Sequence, residues 1–116
     1  MPYLEAAGQL IGPHTRGIVV NSPHNPTGAV LDPDQIYDIG RFAEAHGLVI
    51  FSDEAYDRIV FPGADFSSPA ALPGMKDRTV IWGSLSKTYA MTGWRVGYLA
   101  APRELIGAAV KVQQNV

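Results

Sequence analysis

DPDQIYDIGRFAEAHGLVIFSD, residues 32–53, is the stretch that decides the fold class. Asp32 is a good helix N-cap, Pro33 suits the first helical position, and Gln35 stands where a capping box needs its returning side chain. Ile36, Ile39, Phe42 and Ala43 follow at helical spacing, and Gly47 supplies the C-terminal stop. Leu48-Val49-Ile50-Phe51 then runs without a polar interruption, which reads as a buried strand, and ends at Ser52-Asp53-Glu54.

Working outward, Gly17-Ile18-Val19-Val20 is a second short β-branched run and Thr79-Val80-Ile81-Trp82 a third, both expected to be buried strands. Leu4, Ala7, Leu10 and Ile11 fit a short amphipathic helix near the start. The stretch after the first strand, up to Gly28, holds two prolines and cannot be helix interior. Tyr56 to Phe61 reads as an irregular extension, and Pro62 to Gly74 as a loop with a turn of helix. Arg95 to Ala100 reads as a fourth strand. Pro102 opens a helix with Leu105, Ile106, Ala109 and Val110 on one face, which runs uncapped to Val116 and so suggests a truncated chain. The sum is an α/β, three-layer architecture with a mostly parallel sheet. The Gly83–Trp94 link is too short and glycine-rich for a crossover helix, so the fourth strand should run antiparallel.

Composition narrows the function classes. The chain has 116 residues, 47% of them hydrophobic, which is enough for a core. Nine Lys+Arg against eleven Asp+Glu give a net charge of −2, which offers no footprint for nucleic acid or an anionic membrane. No apolar run approaches the roughly 20 residues of a membrane-spanning helix, and no signal peptide is visible, so a cytoplasmic setting is expected. The absence of cysteine excludes disulfides, thiolate metal sites and cysteine nucleophiles.

In sheets of this type, ligands gather beyond the carboxyl ends of the strands. The polar clusters at those ends are Asn21 to Asn25, Ser52 to Asp53, and Ser84 to Lys87. Lys87-Thr88 ends like a phosphate loop, but Ser86 and Ile81 stand where that motif requires glycine, and no dinucleotide fingerprint follows any strand. A lone lysine is ordinarily a solvated charge; between a strand and a glycine-rich segment, flanked by hydroxyls and near Arg95, its amine can instead be activated for imine formation. Asp53 and Glu54 are adjacent on an extended chain and so point to opposite sides, leaving at most one for a site. His14, His24 and His46 lack metal-ligand spacing, and His46 in the last turn of a helix is explained by the helix dipole. Asn25-Pro26-Thr27-Gly28 is by itself a tight turn.

Taken together and in order, Asn25-Pro-Thr-Gly28, Asp53-Glu-Ala-Tyr56, Ser84-Leu-Ser-Lys87 and Gly93-Trp-Arg95-Val-Gly97-Tyr98 are far more specific. From about Tyr3 to Val116 the chain resembles the central part of the large domain of class I/II aminotransferases, fold-type I pyridoxal-phosphate enzymes. The resemblance implies that Lys87 forms the imine with pyridoxal 5'-phosphate and that Asp53 pairs with the pyridine nitrogen. It further implies that Asn25 and Tyr56 donate to the phenolic oxygen, that Ala55 lies against a ring face, and that Ser84, Ser86 and Arg95 bind phosphate. A carboxylate beside the pyridine nitrogen keeps it protonated, as an electron sink requires. Donors to the phenolic oxygen stabilise its anion, and Arg95 offers a bidentate phosphate contact that lysine cannot reproduce.

The same resemblance implies that residues 1–116 are one partial cofactor-binding domain, with N- and C-terminal parts absent. The whole enzyme would be a homodimer acting on amino-acid and 2-oxo-acid substrates, and the fragment alone would be inactive and prone to self-association. It also implies a cis peptide at Asn25-Pro26. A lyase of the same fold and the aminotransferase-like effector domain of a transcription regulator are the alternatives.

Overall fold

The computed structural model describes residues 2–115. Its elements, in chain order, are α1 (Pro2–Gln9), β1 (Gly17–Asn21), α2 (Pro33–Ala45), β2 (Val49–Asp53), β3 (Thr79–Ser84), α3 (Leu85–Thr88), β4 (Gly97–Ala100) and α4 (Arg103–Gln113). Short 3-10 turns at Pro69–Ala71, Lys76–Arg78 and Thr92–Trp94 punctuate the connections.

The start of α2 is fixed by the expected capping box. Gln35 N–H donates to Asp32 Oδ1 at 2.8 Å, and Asp32 N–H returns a bond to Gln35 Oε1 at 3.0 Å. Gly47, at φ 64°, turns the chain out of the helix in the left-handed region that favours glycine. Ile36, Ile39 and Ala43 are buried with Val20, Leu48, Ile50 and Met75, while Leu4, Ile11 and Phe42 pack around them. Full burial of one isoleucine contributes about 1.5–3 kcal/mol, so this cluster anchors the domain.

The sheet has the order β1-β2-β3-β4, with the first three strands parallel and β4 antiparallel to β3. Ile18, Val20, Ile50 and Thr79 lie on the face that α2 covers. Val19, Phe51, Val80, Trp82 and Leu99 share the opposite face, where Leu105, Ile106 and Ala109 of α4 line a groove with all of them but Val19.

Several expectations need correction. The apolar strands are not buried on both faces: Val19 is 63% exposed and Trp82 37%, because among the described residues α4 is the one helix on their side and itself buries no residue. Leu10 lies beyond the end of α1 and is 83% exposed, so it plays no part in the core. β3 extends to Ser84, and β4 begins only at Gly97, because Arg95 is in the left-handed region and cannot continue a strand. α4 ends at Gln113; Val116, where the sequence reading ran that helix, lies outside the described residues, as does Met1. Among the described residues, no helix is long and apolar enough to cross a membrane.

Candidate active site

The parallel register brings Asn21, Asp53 and Trp82 level with one another, so β1, β2 and β3 share a carboxyl edge. The chain leaves β1 through two cis prolyl bonds, Ser22-Pro23 and the expected Asn25-Pro26. Backbone bonds from His24 N–H to Ala29 O and from Gly28 N–H to His24 O, both 2.8 Å, close the intervening turn. Gly28, at φ 74°, permits it. The His24 ring Nδ1 and the Thr27 hydroxyl share a 2.8 Å bond, and Asn25 is left exposed at the tip.

At the end of β2, Ala55 N–H donates to Asp53 Oδ1 at 3.2 Å, which fixes the orientation of that carboxylate. Glu54 N–H donates to Trp82 O at 3.0 Å, and its side chain is buried, with Ser68 Oγ donating to Oε1 at 2.6 Å. Burial pushes the Glu54 carboxyl above the usual range; hydrogen bonds from Ser68 and Ser52 oppose that shift, and the Asp57 charge adds to it. Tyr56 follows in a turn closed by Ile59 N–H donating to Tyr56 O at 2.9 Å.

At the end of β3, Ser84 caps α3, its Oγ accepting from Ser86 N–H at 3.2 Å. One turn on, Lys87 places Nζ 5.7 Å from the centroid of the Tyr56 ring. Thr88 Oγ1 lies 3.5 Å from Asp57 Oδ1, a second link between the same two segments. Arg95, at φ 54°, follows the Thr92–Trp94 turn, and its Nη1 donates to Thr92 O at 3.0 Å. Val96 O accepts from Leu85 N–H at 3.2 Å, holding the Arg95 segment beside the start of α3.

Of the residues singled out from sequence, Tyr56 and Lys87 are thus in contact, and Asn25 and Tyr56 line one cleft of about 250 Å³ with Pro23, His24 and Val30. Asp53 stands at the shared strand edge, while Ser84 and Ser86 sit at the first turn of α3. Arg95 is exposed and its guanidinium is turned onto a backbone carbonyl of its own loop, with no contact to the serines.

By residue type, Arg95 and the hydroxyls of Ser84 and Ser86 could take an anion, Asp53 a cationic nitrogen, Asn25 and Tyr56 an oxygen acceptor, and Lys87 a carbonyl carbon. Asn21 Oδ1, beside Asp53 in the sheet, is buried without a hydrogen-bond partner among the described residues. Such an atom costs stability unless something else supplies the donor, which fits a strand edge built to receive a further group. Sequence reasoning placed Asn21 in the polar cluster after β1 without giving it a role, and overlooked Ser68, although a serine directly before Pro69 is a helix-start pattern.

Comparison with known proteins shows the family and the fold. Residues 3–116 match the family described as Aminotransferase class I and II. The chain is 46% identical over 103 residues to an aromatic-amino-acid aminotransferase of Thermococcus litoralis, covering 89% of this chain and 26% of that protein. It is 42% identical over 105 residues to an aspartate aminotransferase of Geobacillus stearothermophilus, covering 90% of this chain and 27% of that one. Among solved structures, an aromatic aminotransferase from Pyrococcus horikoshii superposes with a TM-score of 0.91 at 40% identity, covering 97% of this chain and 30% of that one. The chain therefore spans about a quarter of the length of the curated relatives it matches.

Proposed function

The chain belongs to the aminotransferase class I and II family, and from that premise we propose that it carries the attachment lysine and part of the pyridoxal 5'-phosphate site of an enzyme moving an amino group between an amino acid and a 2-oxo acid. The observation that carries this reading is the contact of Lys87 with Tyr56 beside the strand edge that ends in Asp53. When bound, the cofactor supplies an electron sink for the substrate α-carbon.

The chain's own residues have separable tasks. Lys87 would hold the cofactor through Nζ, and the same nitrogen, as a free amine, would carry the substrate α-proton. Asp53 keeps the ring nitrogen protonated, and Asn25 and Tyr56 donate to the ring oxygen. Ala55 leaves room for a flat ring. Ser84, Arg95 and more weakly Ser86 bind the phosphate, Arg95 after release from Thr92 O.

By itself the chain is inactive in turnover, since it spans about a quarter of its relatives' length; the intact protein is a cytoplasmic homodimer. The isolated chain self-associates, because β1 is an edge strand and Val19 on its uncovered face is 63% exposed. The aromatic-amino-acid and aspartate aminotransferases that it resembles differ in their amino acid, so the reading extends to amino-group transfer and to no particular side chain.

The test is to incubate the purified chain with pyridoxal phosphate, reduce with borohydride and map the label. Labelling concentrated on Lys87 is expected. Equal labelling of Lys76, Lys87 and Lys111, the three lysines of the chain, would defeat the reading.

A further inference from the structure

Glu54 stands between two residues of the proposed site, yet its own side chain is turned away from it. Alternation along β2 puts Asp53 on the face shared with Phe51 and sends Glu54 to the opposite side, where it is 8% exposed. A leucine would pack there without the desolvation that a buried carboxylate suffers. What a carboxylate adds is direction: Ser68 Oγ donates to Oε1 at 2.6 Å. Ser68 is itself held, because its Oγ accepts from Ala70 N–H at 3.3 Å and caps the Pro69–Ala71 turn, which packs against α2 and β3. Glu54 is therefore tied to the rigid part of the domain.

The consequence lies on the other face. Asp53 Oδ1 takes its orientation from Ala55 N–H, and the residue that this bond spans is Glu54. Rotation of the backbone at Glu54 would swing the Ala55 amide away and release the carboxylate. We propose that Glu54 is a positioning residue, clamped by Ser68 on one face so that the Asp53 carboxylate is held ready on the other. The proposal rests on the reading of Asp53 as the partner of the cofactor's ring nitrogen.

Amide hydrogen exchange of the complete 116-residue chain, followed residue by residue by NMR, tests it. In Glu54→Leu the Ala55 amide should exchange about tenfold faster or more, the scale of one lost hydrogen bond. The Ile50 and Phe51 amides of the ladder should keep their protection. Ser68→Ala should act in the same direction, and the two changes together should add nothing to the larger single effect. Glu54→Gln, whose side-chain carbonyl can accept the same bond, should retain Ala55 protection. Pyridoxal phosphate labelling of Lys87 should fall in Glu54→Leu and recover in Glu54→Gln. If Glu54→Leu does not fold, Ser68→Ala carries the comparison. Unchanged Ala55 exchange in the folded variants, or loss of protection spread evenly over the ladder, would overturn the proposal. Absence of Lys87 labelling in the unmodified chain would instead sink the cofactor reading, while the amide comparison would still decide whether the clamp sets Asp53.

Discussion

Lys87 Nζ stands 5.7 Å from the centroid of the Tyr56 ring, joining the turn after β2 to the helix after β3. At an exposed site such a cation–π contact contributes about 0.5–1 kcal/mol, enough to bias where a flexible amine rests. Tyr56→Phe keeps the ring and removes the hydroxyl; Tyr56→Leu removes both. Borohydride-trapped labelling of Lys87 should therefore fall modestly in the first variant and severely in the second, as quantified by peptide mass spectrometry. Equal losses would show that the ring itself does not guide the lysine.

Gly83 faces Tyr98 directly across the β3–β4 pair, and a Cβ on Gly83 would fall within the Tyr98 ring. Tyr98 is 52% exposed, so the ring can swing aside, but only by giving up its packing over Gly83. Gly83→Ala should destabilise the chain by about 1–3 kcal/mol, the scale of overpacking, and shift the urea midpoint downward. Adding Tyr98→Ala should recover much of that loss. Additive losses in the double variant would contradict the packing argument.

Asp32→Ala removes the side chain that caps α2, whose inner face supplies Ile36, Ile39 and Ala43 to the core. A loss of about 1 kcal/mol is expected, readable as a lower midpoint in urea. Gln35→Ala should cost less, since only the returning bond at Asp32 N–H disappears.

The Glu54 carboxyl is raised by burial, and that direction fixes the pH dependence. Protonation is favoured more in the folded chain than in the unfolded one. The stabilising contribution is thus complete below the ordinary carboxylate range and is lost as pH climbs through the raised value. Glu54→Gln removes this titration. The variant should be at least as stable as the unmodified chain at neutral pH, and its advantage should shrink as the solution is acidified. Thermal melts across mildly acidic to neutral pH give the comparison, and a growing advantage toward acid would reverse the sign.

Self-association through the uncovered sheet face makes a separate prediction. Val19→Lys places a charge on edge strand β1, at a residue already 63% exposed, so it should leave the fold intact. Sedimentation of the variant should shift toward the monomer. An unmodified chain that sediments as a monomer at all concentrations would refute the association.

The sequence was legible where one residue type has one physical use. Asp32, Pro33, Gln35 and Gly47 mark the ends of α2 because capping and positive φ are local requirements. The antiparallel course of β4 followed from the shortness of its link. Burial was misread at Val19 and Trp82 because an apolar run reports what a strand can pack against, and the covering layer on that face is incomplete. At the site, Lys87 and Tyr56 could be paired only through the ordered motifs, since their contact spans two different strand ends. Arg95 shows the limit: its type suggested an anion partner, but only the structure reveals the guanidinium bound to Thr92 O. Asn21 had no distinguishing chemistry until its buried oxygen was found without a donor.

The strands lie across the sheet in the same order in which they occur along the chain, β1-β2-β3-β4. Each strand can therefore dock on its immediate predecessor, and none has to wait for a later segment or be inserted between two already joined. During synthesis, β1 and α2 can be in place when β2 leaves the ribosome, and β3 then finds an edge already prepared. Within residues 17–100 each new strand meets the edge left by its predecessor, so pausing the ribosome after each strand should leave a shorter sheet of the same register rather than a scrambled one.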